Sequence, residues 1–273
     1  MDKPPHDPVN YELRAGDLEG DYKSFLDTLT DVPESPSLQP LNIDEAGITN
    51  QQTYIQLHDI EGKGLIKPVL CDIQVAATLH GHRGIHMSRC EEAIFEVSQE
   101  AHPSIDHFAL ALARVVRDKQ GSRGSVVKVN GVYLHTHMTN VTKRESHDKM
   151  YLLSEATIQG DQEQVSTGVS AYNITACPCT RAYTKYSVVP ALRGKGFTLE
   201  QIQDILNITL TGTHTQRGTI SVIVDKTHED ITSGELYAIL DQSAHLVFEL
   251  LKRPDEHDLV IRALKRPPPK PVS

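Results

Sequence analysis

The sequence predicts an α+β fold, because β-prone segments come in consecutive groups and are separated by groups of helices rather than by single helices. Two strands within residues 53–79 precede two helices within residues 90–119, and further strands follow between residues 126 and 177. A short helix, a strand and a long helix complete the order. This order is compatible with a duplicated unit of antiparallel strands and helices.

Length, charge and cysteine content narrow the class of protein. The 273 residues suffice for a substantial core, and the net charge of −9 argues against binding to nucleic-acid backbones. No apolar run reaches membrane-spanning length, and Met1–Pro8 is polar rather than signal-like. Four cysteines, two of them nearly adjacent, do not resemble a secreted disulfide framework. We therefore expect a cytoplasmic protein that binds neither nucleic acid nor membranes.

The chain is expected to divide into four regions, of which composition indicates the two terminal ones. Residues 1–40 carry many Pro, Asp and Glu and are predicted to form a polar tail or arm. Residues 41–145 are expected to form the first unit, and residues 146–262 the second. Residues 263–273 contain a proline run that can neither continue a helix nor enter a sheet, so the ordered fold should end there.

Periodicity places the individual elements. Thr53–Leu57 and Val69–Leu79 are predicted as strands, and Cys90–Val97 and Pro103–Lys119 as helices. The second of these helices has a clear apolar face. The remaining predictions are strands at Val126–His135, Met150–Gly160, Val165–Cys177 and Thr219–Asp225, a turn at Gly131, and helices at Thr198–Leu206 and Ile231–Leu251.

The segment around Cys177 and Cys179 carries the strongest sign of chemistry. In an extended segment, residues two apart point to the same face, so both sulfurs would face one space. Pro178 gives up a ladder hydrogen bond, which indicates a strand end, an edge or a bulge. A disulfide between the two thiols has poor geometry. A metal site, a nucleophile and buried structural thiols are the readings that remain.

Four residues that are distant in sequence from Cys177 could complete or replace such a metal site. A catalytic transition metal usually takes three ligands from Cys, His and Asp or Glu and keeps one open position. Cys177 is the soft ligand, His214 lies in a loop between a helix and a strand, and Glu256 follows a predicted helix end. His135 and His137 would share one strand face, a spacing that can bind metal but is more often structural. Spacing alone does not decide between these sets.

Four motifs in a fixed order carry a resemblance to a known family. They are Gly84–Arg89, Cys177–Cys179, His214–Arg217 and Leu251–Glu256. Together they resemble the type IB GTP cyclohydrolase family, and more closely its archaeal, methanopterin-pathway branch, over roughly residues 45–260. The resemblance implies a tunnelling fold, in which tandem antiparallel-sheet-plus-helices units associate into a barrel. It also implies a homodimer or homotetramer with active sites at subunit interfaces.

The resemblance further implies a reaction and a set of ligands. The reaction opens the guanine imidazole ring of GTP, releases formate and begins pterin biosynthesis, with a dihydroneopterin cyclic phosphate as the product. The implied ion is ferrous iron, with Zn²⁺ or Mn²⁺ as alternatives, and its implied ligands are Cys177, His214 and Glu256. Such an ion lowers the pKa of a water molecule, and the hydroxide can attack C8 of guanine. Cys179 would lie beside the ion, either as an outer catalytic thiol that does not bind it or as a proton shuttle.

GTP brings several negative charges, and the chain lacks the glycine-rich loop that binds phosphates in many nucleotide enzymes. Positive side chains must therefore bind the triphosphate. The candidates are His86, Arg89, Arg181, Lys185 and Arg217.

The chain departs from the family pattern after Glu256. The family continues with a helix whose glutamate anchors the guanine base and with a final pair of strands, whereas this sequence runs from His257 into the proline tail. We therefore expect an incomplete second unit without the guanine anchor. An alternative function follows: a shortened, non-catalytic paralogue that binds metal and nucleotide or assembles with an intact subunit. A third alternative is a thiol redox protein that uses Cys177 and Cys179.

Overall fold

A computed structural model describes most of the chain, namely residues 20–21, 24–25, 29, 32–33, 44–58, 60, 63–79, 84–225, 231–244, 246 and 253–265. Most of the predicted tail at residues 1–40, the basic residues just before Gly84 and most of residues 263–273 lie outside the described residues. No helix in the described part combines the length and hydrophobicity that a membrane crossing requires.

The strands form one continuous seven-stranded sheet in the order β3-β1-β2-β4-β5-β6-β7. Neighbouring strands are antiparallel, except that β3 is parallel to β1. Because β5 pairs with β6, the two predicted units share this single sheet. The strands are β1 (Glu45–His58), β2 (Ile66–Thr78), β3 (Ala101–His102), β4 (Gly124–Met138), β5 (Glu145–Gln159), β6 (Gln162–Ala176) and β7 (Thr215–Asp225).

Helices follow β2, β6 and β7, so the predicted α+β class is confirmed. Three helices follow one another between β6 and β7, where the sequence predicted a single helix. The helices are α1 (Met87–Ser98), α2 (Ile105–Gln120), α3 (Pro178–Ser187), α4 (Val189–Gly194), α5 (Leu199–Ile208), α6 (Ser233–Ser243) and α7 (Arg253–Lys265).

One face of the sheet is buried, and the other is half-buried or exposed. On β5, Met150, Leu152 and Ile158 are buried, and α2 covers them with Phe108 and Leu112. Burying each such side chain contributes about 1.5–3 kcal/mol to folding. Alternate residues of a strand point to opposite faces of the sheet, so residues two apart lie on the same face.

The predicted turn at Gly131 is wrong, because this glycine lies inside β4 and pairs with Cys71 and Leu152. A Cβ atom at Gly131 would lie 2.9 Å from Cys71 Sγ and 2.9 Å from Val69 Cγ1. The glycine is therefore needed for the close approach of β2 side chains to the backbone of β4.

We expect the substitution Gly131→Ala to destabilise the fold by about 1–3 kcal/mol, because the added methyl group overpacks this contact. Chemical denaturation measures the change in the free energy of unfolding. Gly194→Ala is the matched control, since a Cβ there meets no atom within 4 Å. Equal effects of the two substitutions would contradict the packing explanation.

The predicted single helix over Ile231–Leu251 is also wrong. Helix α6 ends at Ser243, and Leu246 forms a β-bridge with Asn173 of β6. The physical reason is that β5 and β6 pair only as far as Met150 and Ala171. Leu246 therefore finds a backbone partner at Asn173 of β6, beyond the last β5–β6 pair.

Candidate active site

The hairpin of β6 and β7 brings Cys177 and His214 together. The last pair of the ladder is Ala176 with Thr215, so the next residues along each strand lie opposite each other. The backbone N–H of Cys177 donates to the carbonyl oxygen of His214 at 3.4 Å. The Thr213 hydroxyl donates to the carbonyl oxygen of Cys177 at 2.9 Å. Residues far apart in sequence thus become neighbours at one end of the sheet.

Cys177 is the N-cap residue of α3, not a strand residue whose thiol shares a face with that of Cys179. Its sulfur accepts hydrogen bonds from Thr180 N at 3.5 Å and from Thr180 Oγ1 at 3.4 Å. Pro178 is the first helical residue, the position where proline costs a helix least. The chain therefore turns into a helix at this point, and Cys179 lies exposed in the first turn of α3.

The surroundings of Cys177 favour its thiolate form. Hydrogen bonds from Thr180, together with one from the His214 side chain, lower the pKa of Cys177 to about 7. A helix N-terminus also stabilises a negative sulfur. Burial has the opposite effect elsewhere, since it raises the pKa of Cys71 to about 12 and also raises the pKa of Cys90. Cys177 is thus set up as a ligand or nucleophile at neutral pH.

We expect iodoacetamide to alkylate Cys177 of the metal-free protein with a pH midpoint near 7. The reason is that the lowered pKa lets the reactive thiolate form at a lower pH than in an ordinary cysteine. Peptide mass spectrometry of protein treated across pH 5–10 measures this midpoint. Thr180→Val removes the hydroxyl donor and should move the midpoint to higher pH. A midpoint that stays unchanged in this variant would contradict the assigned cause.

Three of the cationic residues predicted to bind the triphosphate lie on two elements, α3 and β7. Arg181 and Lys185 lie one turn apart on α3, and both are half-buried. Arg217 lies on the exposed face of the sheet, where its guanidinium carbon is 5.8 Å from the ring centre of Tyr172. All three lie near the end of β6 that leads into Cys177.

His86 and Arg89 contribute to a different pocket. They line a cavity of about 520 Å³ that also contains Lys119 and Arg123. Gln120 holds the backbone of His86, since its oxygen accepts from His86 N at 3.1 Å and its Nε2 donates to His86 O at 2.8 Å. His86 is the N-cap residue of α1, so the positive end of that helix faces the same region.

This cavity and the Cys177–His214 pair lie at opposite ends of the sheet. Arg123, which lines the cavity, directly precedes Gly124 of β4. Gly124 pairs with Gln159 of β5, and Gln159 pairs in turn with Gln162 at the start of β6. Cys177 follows the other end of β6. The strand from Gln162 to Ala176 spans roughly 45 Å at a rise of about 3.3 Å per residue. The structure therefore does not bring His86 and Arg89 to Cys177 within one chain.

Glu256 lies in the first turn of α7 and is exposed, so the predicted placement past a helix end is wrong. Its neighbour Asp255 accepts hydrogen bonds from Val141 and Thr142 in the turn after β4, and α7 packs against β6. Glu256 therefore belongs to the same end of the sheet as Cys177. In the part of the chain that is described, no three Cys, His, Asp or Glu side chains are arranged to hold a metal ion.

His135 and His137 belong to a separate polar cluster beneath α6. Their rings stack at a centroid distance of 6.4 Å, and His137 Nδ1 lies 3.4 Å from Asp148 Oδ2. The Tyr237 hydroxyl donates to the same Asp148 oxygen at 3.2 Å. Burial, and then the proximity of His135, lowers the pKa of His137. These contacts fit the structural interpretation of the two histidines.

Comparison with known proteins places the chain in a family. A family model described as type I GTP cyclohydrolase folE2 matches residues 29–268. The chain belongs to this family. The GTP cyclohydrolase MptA of Methanococcus aeolicus is 30% identical over 241 residues, covering 83% of this chain and 77% of that protein. The MptA of Methanosphaera stadtmanae is 24% identical over 257 residues, covering 88% and 81%. The predicted family is thereby confirmed, and with it the prediction of a cyclohydrolase enzyme.

A solved structure was also compared with the fold. Uricase from Arthrobacter globiformis aligns with a TM-score of 0.46 and 9% identity, covering 76% of this chain and 69% of the uricase. This similarity is too weak to assign the fold. The tunnelling fold implied by the family resemblance stays a prediction.

Two residues within or beside the family motifs have structural roles that the sequence did not predict. Thr180 holds the Cys177 sulfur, and Asp255 holds the turn after β4. The spacing of Cys177 and Thr180 is that of an N-cap residue and the third helical residue, so the capping pattern was a usable signal. Asp255 has no such signal, because its partners are distant in sequence.

Proposed function

We propose that this chain is a metal-dependent GTP cyclohydrolase that opens the imidazole ring of guanine and releases formate. The observation that carries the proposal is the Cys177–His214 pair, with a thiol acidified at a helix N-terminus, in a member of this family. On the resemblance to the MptA branch we extend the proposal to the product, a 7,8-dihydroneopterin 2′,3′-cyclic phosphate. The reaction would then be the first step of pterin biosynthesis of the methanopterin or folate type.

The donor set suits a divalent transition metal. Cys177 supplies a thiolate near neutral pH and His214 an adjacent imidazole, both of which are ligands for Fe²⁺ and Zn²⁺. We assign Glu256 as the third ligand, because α7 presents it at the same end of the sheet. Fe²⁺ is the proposed ion, with Zn²⁺ and Mn²⁺ as alternatives. Such an ion supplies Lewis acidity, which makes hydroxide available near neutral pH.

The chain's own residues position the reacting groups. Thr180 orients the Cys177 sulfur through two hydrogen bonds, and Thr213 fixes the adjacent carbonyl group. We assign a role in proton transfer to Cys179, whose thiol is exposed in the first turn of α3. This arrangement leaves the Cys177 sulfur fixed in direction while a thiol that can exchange protons with solvent lies nearby.

The cationic side chains are assigned to the triphosphate. Arg181 and Lys185 form a pair on α3, and Arg217 extends from β7. His86 and Arg89 lie at the other end of the sheet, roughly 45 Å of strand away, which far exceeds the length of GTP. We therefore propose that His86 and Arg89 reach the substrate from a second copy of the chain, in a homodimer or homotetramer with shared sites.

Anaerobic incubation of the Fe²⁺-loaded protein with GTP tests the proposed function. We expect stoichiometric formate and a product that becomes a fluorescent pterin on oxidation, with mass spectrometry distinguishing the cyclic phosphate from the triphosphate. Protein treated with a chelator is the control. Absence of formate with intact metal and GTP binding would overturn the catalytic proposal in favour of the non-catalytic paralogue.

A further inference from the structure

The carboxylate of Asp255 joins α7 to the turn between β4 and β5. Its Oδ1 accepts from Val141 N at 2.9 Å and from Thr142 N at 3.1 Å, and its Oδ2 accepts from Thr142 Oγ1 at 2.6 Å. Asp255 is only 3% exposed. A buried carboxylate is expensive unless hydrogen bonds satisfy it, so these three bonds fix where it lies.

The turn that receives Asp255 is itself braced. Thr139 N donates to Arg144 O at 2.8 Å, and Arg144 N donates to Thr139 Oγ1 at 3.1 Å. The hydroxyl groups of Thr139 and Thr142 lie 2.9 Å apart. The donors are thus held in place by the end of the β4–β5 hairpin, which forms part of the continuous sheet.

The rest of α7 makes two further contacts, one with the same turn and one with the sheet. The amide of Asn140, oriented with its oxygen toward Arg262, accepts from Arg262 Nη2 at 2.9 Å. Leu259 is buried, and α7 packs against β6, the strand that leads into Cys177. Asp255 is the anchor nearest the helix N-terminus, directly beside Glu256.

Adjacent residues on a helix are about 100° apart around its axis. Fixing Asp255 against the turn therefore also fixes the backbone position of Glu256 and the side of the helix from which its side chain extends. Asp255 is buried and holds the helix, whereas Glu256 is exposed to solvent.

We propose that Asp255 is a positioning residue that sets Glu256 for metal binding. The inference rests on the proposed function, in which Glu256 is the third ligand beside Cys177 and His214. Asp255 acts through Glu256 and does not itself touch metal or substrate. Outer partners of metal ligands typically contribute about 10–100-fold to metal affinity.

The test measures the affinity of the full chain for Co²⁺ in competition with a chromophoric chelator. Asp255→Ala should weaken binding by about 10–100-fold. Asp255→Asn keeps an oxygen for Val141 N and Thr142 N, and the Thr142 hydroxyl can turn to accept from the new amide, so it should retain affinity within about threefold. Thr142→Val, which keeps the backbone donors, should give an intermediate loss and serves if Asp255→Ala fails to fold.

A double-mutant cycle separates positioning from general stability. In a Glu256→Gln background, Asp255→Ala should change Co²⁺ affinity by less than about threefold, because the residue that it positions has lost its charge. The matched control is Glu235→Ala, which removes a carboxylate that accepts from Thr232 N at 2.8 Å and from Thr232 Oγ1 at 2.9 Å on α6. This control should lower the melting temperature without changing Co²⁺ affinity.

The outcomes distinguish the two levels of the argument. Co²⁺ binding that is independent of both Cys177 and Glu256 would overturn the proposed function. Binding that depends on both, but is as tight in Asp255→Ala as in the wild type, would overturn the positioning role alone. A loss of equal size with and without the Glu256→Gln substitution would also overturn it, since the effect would then not pass through Glu256.

Discussion

Replacing Cys177 or His214 with alanine is expected to abolish formate release from GTP and to lower metal affinity by more than about 100-fold. The expected loss of metal affinity exceeds that for a residue that only contacts a ligand, because each substitution would remove a proposed direct ligand. Metal analysis after desalting and a formate assay on the same samples measure both effects.

Cys179→Ala is the matched control, because it removes a thiol from the first turn of the same helix without removing the N-cap. It should retain the metal and lose activity only in part. If Cys177→Ala keeps a full metal complement, the ligand assignment is wrong. If Cys179→Ala loses the metal instead, the second thiol is the ligand.

Mixing two inactive variants is expected to restore activity. Arg89→Ala and Cys177→Ala each damage a different half of the proposed shared site, and these halves lie at opposite ends of the sheet in one chain. Random assembly of equal amounts gives an intact Arg89 beside an intact Cys177 in about one quarter of the sites of a symmetric oligomer. Co-expression of the two variants in equal amounts, with one affinity tag common to both, yields this random mixture for the formate assay.

The control for mixing is the combination of Cys177→Ala with His214→Ala. These residues come from the same hairpin of one chain, so no mixed site regains both. Activity of about a quarter of wild type in the first mixture and none in the second would support a shared site. Absence of activity in both would contradict it.

The sequence predicted most of the scaffold because the scaffold depends on local patterns. Alternation identified β4, β5 and β6, and the apolar face over Pro103–Lys119 identified α2, which the structure begins at Ile105. Gly131 was wrongly predicted to form a turn, because sequence alone does not distinguish a glycine needed for close packing from a glycine needed for a turn. Only the contacts with Cys71 and Val69 distinguish the two.

The sequence supplied candidate residues for the site but not their arrangement. Sequence reasoning assigned Cys177, His214 and Glu256, and the structure places the first two side by side. It misjudged the backbone at Cys177, because Pro178 is as compatible with a helix start as with a strand end. The role of Asp255 depends on Thr142, which is more than a hundred residues away in sequence. No local pattern carries that information.

The absorption spectrum of the Co²⁺-loaded protein tests the central assignment most directly, because a thiolate ligand adds a charge-transfer band in the near ultraviolet. We predict that the wild type and Cys179→Ser show this band at one Co²⁺ per chain, and that Cys177→Ser lacks it. A band that survives in Cys177→Ser, or one that disappears in Cys179→Ser alone, would contradict the assignment of Cys177 as the metal-binding thiolate.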